Sequence, residues 1–239
     1  MDNITLFIAT SGRRFALDAV LKAIELLDYP KDRIRVVFSD SSASDEFFVL
    51  LKDWLGKQDY ASGLIVRYMQ KTILKNAELT DNFTKMRNIT RMYEETKKYI
   101  ETDLVFYVED DIEIPPDTLT KLLPLMDDPE VVMATGRVMT RFAPTGKDNW
   151  SQVLTWDEEK RTWVCTPKKD EGVEQVSGST WGCTLGKVDI IKQTSLYNYD
   201  EPDWGQDAIF ARAMRDKKKI MVDWSIHTRH CNWDGKVFE

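Results

Sequence analysis

Apolar and polar positions alternate between two periods along the first half of the chain. Short apolar runs rich in β-branched and aromatic residues at 4–9, 33–38 and 64–69 read as strands, and a fourth starts at Thr102. Between them, the stretches 15–27, 45–55 and 80–99 place apolar residues three and four apart, as a helix with one buried face does. Tyr29-Pro30 closes the first of these helices, because proline cannot continue the hydrogen-bond ladder. A short helix is expected over 118–126 after Pro115-Pro116, then a strand over 131–135. Strand and helix in alternation predict βαβ units and a mostly parallel sheet.

The pattern changes in the second half. From 144 to 178 the chain is rich in Trp, Lys, Asp and Thr, which predicts a hairpin or long loop inserted in the fold. An ordered segment resumes over 181–185, followed by a helix over 207–215, a strand over 220–222 and a closing stretch over 226–230. The expected fold is therefore α/β, a central and mostly parallel sheet flanked by helices, with a Trp-rich insertion. With 239 residues and 42% hydrophobic positions, one domain over 1–239 is expected, with halves at 1–126 and 127–239.

The fourth apolar run ends abruptly in Glu109-Asp110-Asp111. Strands of this kind are buried on both faces, and a buried carboxylate is costly unless it is paired or holds a cation. Carboxylates where such a strand runs out predict a site at the carboxyl edge of the sheet, where open α/β sheets bind ligands. A solvated loop would account for one acidic residue, less well for three followed by Ile112-Glu113-Ile114-Pro115-Pro116-Asp117.

Composition narrows the partners. A net charge of −7 speaks against a general nucleic-acid surface, which works by neutralising phosphates. No apolar run reaches membrane-span length, and no basic stretch precedes an apolar one at the N-terminus, so an unexported, cytoplasmic protein is expected. Cys165, Cys183 and Cys231 are scattered without a CxxC spacing, which fits a reducing compartment.

Further along, Asp203-Trp204-Gly205-Gln206-Asp207 opens a helix, and Val222-Asp223-Trp224-Ser225-Ile226-His227-Thr228-Arg229-His230 runs from a strand into two histidines. In this order, the acidic run, its Pro115-Pro116-Asp117-Thr118-Leu119 continuation and the two later segments resemble the family 2 type of glycosyltransferase. The likeness runs from about Ile4 to His230 and implies the nucleotide-sugar-binding fold called GT-A.

That resemblance implies roles. Glu109-Asp110-Asp111 stands where the family carries its DxD motif, with Glu109 replacing the usual first aspartate and lying near the ribose or the metal. Asp111 is expected to bind a divalent cation, with Asp110 beside the nucleotide. His230 is expected to complete the metal shell, while His227 reads as structural. Imidazole beside carboxylate suits Mn²⁺, with Mg²⁺ the alternative. Asp207 is implied as the general base on the acceptor hydroxyl, Gln206 replacing the usual first acid; helix capping is its other reading. Thr10-Ser11-Gly12-Arg13-Arg14 matches the loop that cups base and ribose, with Thr10 and Arg13 as contacts. Asp40 matches the acid that meets the base, and Arg87 and Asn88 of Met86-Arg87-Asn88 face the nucleotide. Gly178 and Ser179 lie where the family places donor sugar and acceptor. Trp181 and Trp204 are acceptor-site candidates, whereas Trp156 and Trp163 read as packing.

The implied reaction moves a sugar, with inversion, from a nucleoside diphosphate sugar, a UDP-sugar first, to a hydroxyl acceptor of unspecified class. Two rivals are weighed. A sugar-phosphate nucleotidyltransferase usually carries a Gly-rich loop and a lysine after the first strand, and 10–14 holds one glycine and no lysine. A catalytically silent nucleotide-sugar-binding module would release no nucleoside diphosphate from a donor.

Overall fold

The computed structural model describes residues 2–42, 44–68, 82–141, 150–197 and 204–239. Chain order in the first half is β1 (Ile4–Thr10), α1 (Arg14–Glu25), β2 (Ile34–Asp40), α2 (Asp45–Leu55), β3 (Ser62–Arg67), α3 (Asn82–Thr96) and β4 (Leu104–Glu109). Then come β5 (Ile112–Glu113), α4 (Thr118–Leu122), β6 (Val131–Arg137), β7 (Trp150–Asp157), β8 (Thr162–Pro167), β9 (Val173–Val176) and β10 (Gly178–Ser179). The chain closes with β11 (Cys183–Lys187), α5 (Val188–Gln193), α6 (Gln206–Met214), β12 (Lys219–His227), β13 (Arg229–Cys231) and β14 (Val237–Phe238). Expected positions Met69, Thr80, Asp81 and Asp203, and the part of the insertion at 144–149, lie outside the described residues.

The α/β expectation holds. An eight-stranded sheet has the order β3-β2-β1-β4-β11-β6-β12-β9. β3, β2, β1 and β4 run parallel, as do β6 and β12. Alternate residues of β1 serve opposite faces, as the pleat requires. Ile4, Leu6 and Ile8 pack with Val20 and Ile24 of α1, whereas Phe7 joins Tyr93, Tyr107 and Trp181 on the other side. The Ser44 hydroxyl accepts the Phe47 N–H at 3.2 Å and so caps the first turn of α2.

Three features were not legible. β11 inserts antiparallel between β4 and β6, because strand composition carries no direction. The Trp-rich stretch divides: β7 and β8 form a hairpin that β10 joins, while β9 becomes an edge of the main sheet. α5 is a further helix the periodicity did not predict. No helix among the described residues is long and apolar enough to cross a membrane. All three cysteines are free thiols.

Register brings the functional loops together. Ile4 lies opposite Ile34 and Leu104, and Ala9 opposite Ser39 and Glu109. The turns after β1, β2 and β4 therefore emerge side by side at one edge. From the other end of the chain, β13 pairs with β5, setting His230 opposite Ile112 and Arg229 opposite Glu113. The Cys231 N–H then donates to the Asp111 carbonyl at 2.9 Å, which seats His230 beside the acidic run.

Candidate active site

At this edge lies a cleft of about 400 Å³, lined among others by Thr10, Arg13, Glu109, Asp110, Arg141, Gln152, Gln206, Asp207 and His230. A larger groove of about 620 Å³ passes Lys168, Glu174 and Trp224 but contains none of these carboxylates. The chemistry, not the size, marks the first one.

Two neighbouring aspartates do different work. Asp110 is buried; one oxygen accepts the Ser11 N–H at 2.7 Å and the other accepts from Arg13 Nη1 at 2.9 Å. It therefore braces the turn after β1. Gly12 makes that turn possible at φ +85°, where a Cβ would also stand 3.0 Å from the Ser42 side chain. Burial raises the Asp110 carboxyl, opposed by Arg13 and by the Ser11 N–H.

Asp111 is fully buried, and neither carboxylate oxygen accepts a hydrogen bond of good geometry. Its Oδ2 nevertheless has Arg13 Nη1 and Arg141 Nη1 each at 2.8 Å and His230 Nε2 at 3.5 Å. Burial pushes this carboxyl up, but His230, Arg13 and Arg141 outweigh it and hold it below the usual carboxylate range. His230 is also buried, and its Nδ1 lies 2.7 Å from the Met139 carbonyl. A carbonyl can only accept, so Nδ1 donates to it and Nε2 is the ring nitrogen turned toward Asp111. Nε2 has no hydrogen-bond partner. A buried imidazole nitrogen turned toward a buried carboxylate, the ring oriented by a backbone carbonyl, is a donor pair that fits a divalent cation. Among the described residues no three His, Cys, Asp or Glu side chains group into a complete cage, so other ligands would have to fill the sphere.

Glu109 ends β4 half-buried, and its carboxyl is pushed up to about 8, first by burial and then by the charge of Asp111. Asp207 stands in the first turn of α6, where its Oδ1 accepts the Ala208 N–H at 2.8 Å. Burial raises its pKa, and that N–H opposes the shift. Both carboxylates line the cleft, and the charge of Asp207 adds to the upward push on Glu109.

The remaining expected residues divide. Thr10 lines the cleft, and its carbonyl accepts the Ser41 N–H at 2.9 Å. Asp40 is buried behind that wall, its Oδ1 accepting the Ser42 N–H at 2.9 Å. Arg87 is exposed on α3, and Asn88 is half-buried with an unpartnered Nδ2. Met86, Ile89, Met92 and Tyr93 are the α3 residues that line the cleft, a stripe at i, i+3, i+6 and i+7 that helical periodicity could have pointed to.

Gly178 packs on α6: a Cβ there would come within 2.7 Å of the Ala211 Cβ. Ser179 is buried and lies 3.2 Å from the Thr135 hydroxyl. Trp181 is fully buried, stacked on Tyr107 at 4.5 Å between centroids, and so does not line the cleft. Trp204 is half-buried and meets Trp156 at 5.6 Å and Trp163 at 6.1 Å in one aromatic cluster. Sequence reasoning missed Arg141 and Gln152. Gln152 Oε1 accepts the Thr180 hydroxyl at 2.8 Å, and neither residue belongs to a motif of the sequence.

Comparison with known proteins follows the same line. The sequence model described as glycosyl transferase family 2 matches residues 7–194. No curated protein sequence matches the chain. Among solved structures, GalNAc-T7 with UDP, GalNAc and Mn²⁺ superposes with a TM-score of 0.67 at 10% identity, covering 96% of this chain and 44% of its own. The mannosyltransferase PcManGT from Pyrobaculum calidifontis, with GDP-Man and Mn²⁺, gives 0.58 at 15% identity, covering 93% and 56%. S. aureus TarS 1–349 with UDP-GlcNAc gives 0.56 at 13% identity, covering 92% and 55%. At such identities the likeness shows the fold, and this chain spans about half the length of those three.

Proposed function

The chain belongs to glycosyl transferase family 2, and on that premise we propose that it is a metal-dependent enzyme moving a sugar from a nucleoside diphosphate sugar to a hydroxyl acceptor with inversion. The observation that carries the reading is the unpartnered His230 Nε2 lying 3.5 Å from buried Asp111 Oδ2, beside a cleft that Asp207 also lines. Asp111 and His230 would hold the cation, Mn²⁺ before Mg²⁺. When bound, it supplies Lewis-acid neutralisation of the diphosphate.

The chain's own residues do the rest. Asp207, ionised, takes the proton of the acceptor hydroxyl as that oxygen forms its bond to the anomeric carbon. The bond from that carbon to the diphosphate oxygen breaks, and its electron pair leaves on the diphosphate. A base that lines the same cleft as the acidic run would serve attack on the face away from the leaving diphosphate, hence inversion. Arg13, held by Asp110, contributes positive charge at the nucleotide end, where Thr10 lines the wall. Asp40, Arg87 and Asn88 remain proposed nucleotide contacts. Gly178, Ser179 and Trp181 would support the acceptor side from beneath it, and Trp204 would border it. UDP-sugars come first as donors and GDP-sugars second, because structures of the same fold carry UDP, UDP-GlcNAc and GDP-Man. We also take 1–239 as one domain, a reading supported by the ladder of β4 with β11 that joins its halves into one sheet.

The test is release of nucleoside diphosphate from a panel of UDP- and GDP-sugars with Mn²⁺, with acceptor mixtures added. Asp207→Asn should lower kcat by about 10²–10⁴, the usual span for a positioned base, and leave KM for the donor near the wild-type value. No release from any donor, with Mn²⁺ present, would favour the silent binding module.

A further inference from the structure

Two carboxamides line the cleft, and neither takes part in the transfer proposed above. Gln206 opens α6 one position before Asp207 and is 4% exposed. Its Oε1 is buried and, among the described residues, meets no hydrogen-bond donor. A buried amide oxygen without a donor is costly and calls for a reason. Its place in the cleft wall supplies one, because the last torsion of a glutamine is soft and the carboxamide can swing to meet an entering group. Gln152 reaches the same cleft from β7. Its Oε1 accepts the Thr180 hydroxyl at 2.8 Å, and the Thr180 N–H donates to the Gln152 carbonyl at 3.2 Å. With Oε1 so engaged, the side chain is anchored and Nε2 is the end with protons to give. Both residues are neutral in a cleft otherwise rich in charge, with Glu109, Asp110 and Asp207 on its acidic side.

We propose that Gln206 and Gln152 bind ring hydroxyls of the transferred sugar and make the site one for an uncharged sugar, as opposed to a hexuronate. The proposal rests on the glycosyltransferase reading above. In that reading the sugar lies between the diphosphate at Asp111 and His230 and the base Asp207, and Gln206 is the chain neighbour of that base. A hydroxyl both donates and accepts, so it can meet an amide oxygen and an amide N–H alike. A sugar carboxylate can only accept, and beside Asp207 it would set two like charges close together in a largely desolvated cleft. A ligand that leaves buried polar groups unpaired is rejected for that reason as well.

The experiment is calorimetric titration of the full chain, with Mn²⁺ present, by UDP-glucose, UDP-GlcNAc, GDP-mannose and UDP-glucuronate, and by UDP and GDP. Gln206→Ala and Gln152→Ala should each bind the nucleotide sugar that wild type prefers about three- to tenfold more weakly, the fold-change of one lost neutral hydrogen bond. Each should bind the matching nucleoside diphosphate, which carries no sugar, with wild-type affinity. Gln206→Met keeps the buried stem and should show the same split if the alanine variant folds poorly. Equal loss of affinity for the bare nucleoside diphosphate would mark the two residues as supports of the fold and overturn the proposal. Unchanged affinity for the nucleotide sugar would overturn it too, as would a wild type that prefers UDP-glucuronate. Wild type that binds none of these ligands would overturn the donor-site reading on which the proposal rests.

Discussion

Asp110 and Asp111 carry identical side chains one position apart in the turn after β4, share Arg13, and otherwise meet different partners. Asp110 turns to the Ser11 N–H and Arg13, whereas Asp111 turns to His230 and Arg141. That Asp111 was the residue to watch was legible, because a buried apolar strand ending in acids has few inexpensive explanations. Arg141 was not: an arginine after an irregular stretch looks like any surface cation until the chain brings it to Asp111. Trp181 is the converse case, since an indole beside a ligand and an indole in a core read alike in sequence, and this one is fully buried against Tyr107. Glu109 yields a prediction at this scale. Its carboxyl, pushed up to about 8, holds a proton more tightly in the folded chain than unfolded. The resulting stabilisation is complete below the ordinary glutamate range and is lost as pH rises through about 8. The melting temperature of metal-free wild type should therefore fall more steeply from pH 5 to pH 9 than that of Glu109→Gln. Parallel profiles would refute it.

Elements, rather than single side chains, deliver the acceptor wall. α6 presents Asp207 from its first turn, and β10 sets the height of that helix through the contact of Gly178 with Ala211. The sequence placed Gly178 near ligand because small residues allow close approach; the close approach seen here is to a helix. Gly178→Ala would put a Cβ 2.7 Å from that of Ala211. The overpacking should cost about 1–3 kcal/mol in denaturant unfolding and, by displacing α6, lower kcat more than it raises the acceptor KM. Unchanged stability and kinetics would show that α6 yields without moving Asp207. β11 and the division of the Trp-rich stretch between two sheets escaped the sequence for one reason: pairing partner and direction are long-range properties, whereas periodicity is local.

At the scale of the molecule, the cleft lies where the first-half strands meet the second-half ones. Asp110 and Asp111 come from the end of β4, His230 from β13, Asp207 from α6 and Arg141 from just beyond β6. The order of strand and helix signals was enough for the α/β fold, since parallel strands with crossover helices put their loops at one edge. The closing step was harder to read, because the pairing of β5 with β13 joins positions 112 and 230 through a two-residue strand. The account stands on those two ends of the chain forming one cation site that serves a nucleotide sugar. Its most direct test is the melting temperature of wild type, Asp111→Ala and His230→Ala with Mn²⁺, with UDP-GlcNAc or GDP-mannose, and with both. Wild type should gain stability beyond the sum of the separate effects when Mn²⁺ and one donor are both present, because ligand bound only by the folded state raises stability by mass action. Both variants should lose that joint gain. A joint gain retained in full by Asp111→Ala and His230→Ala would contradict the account.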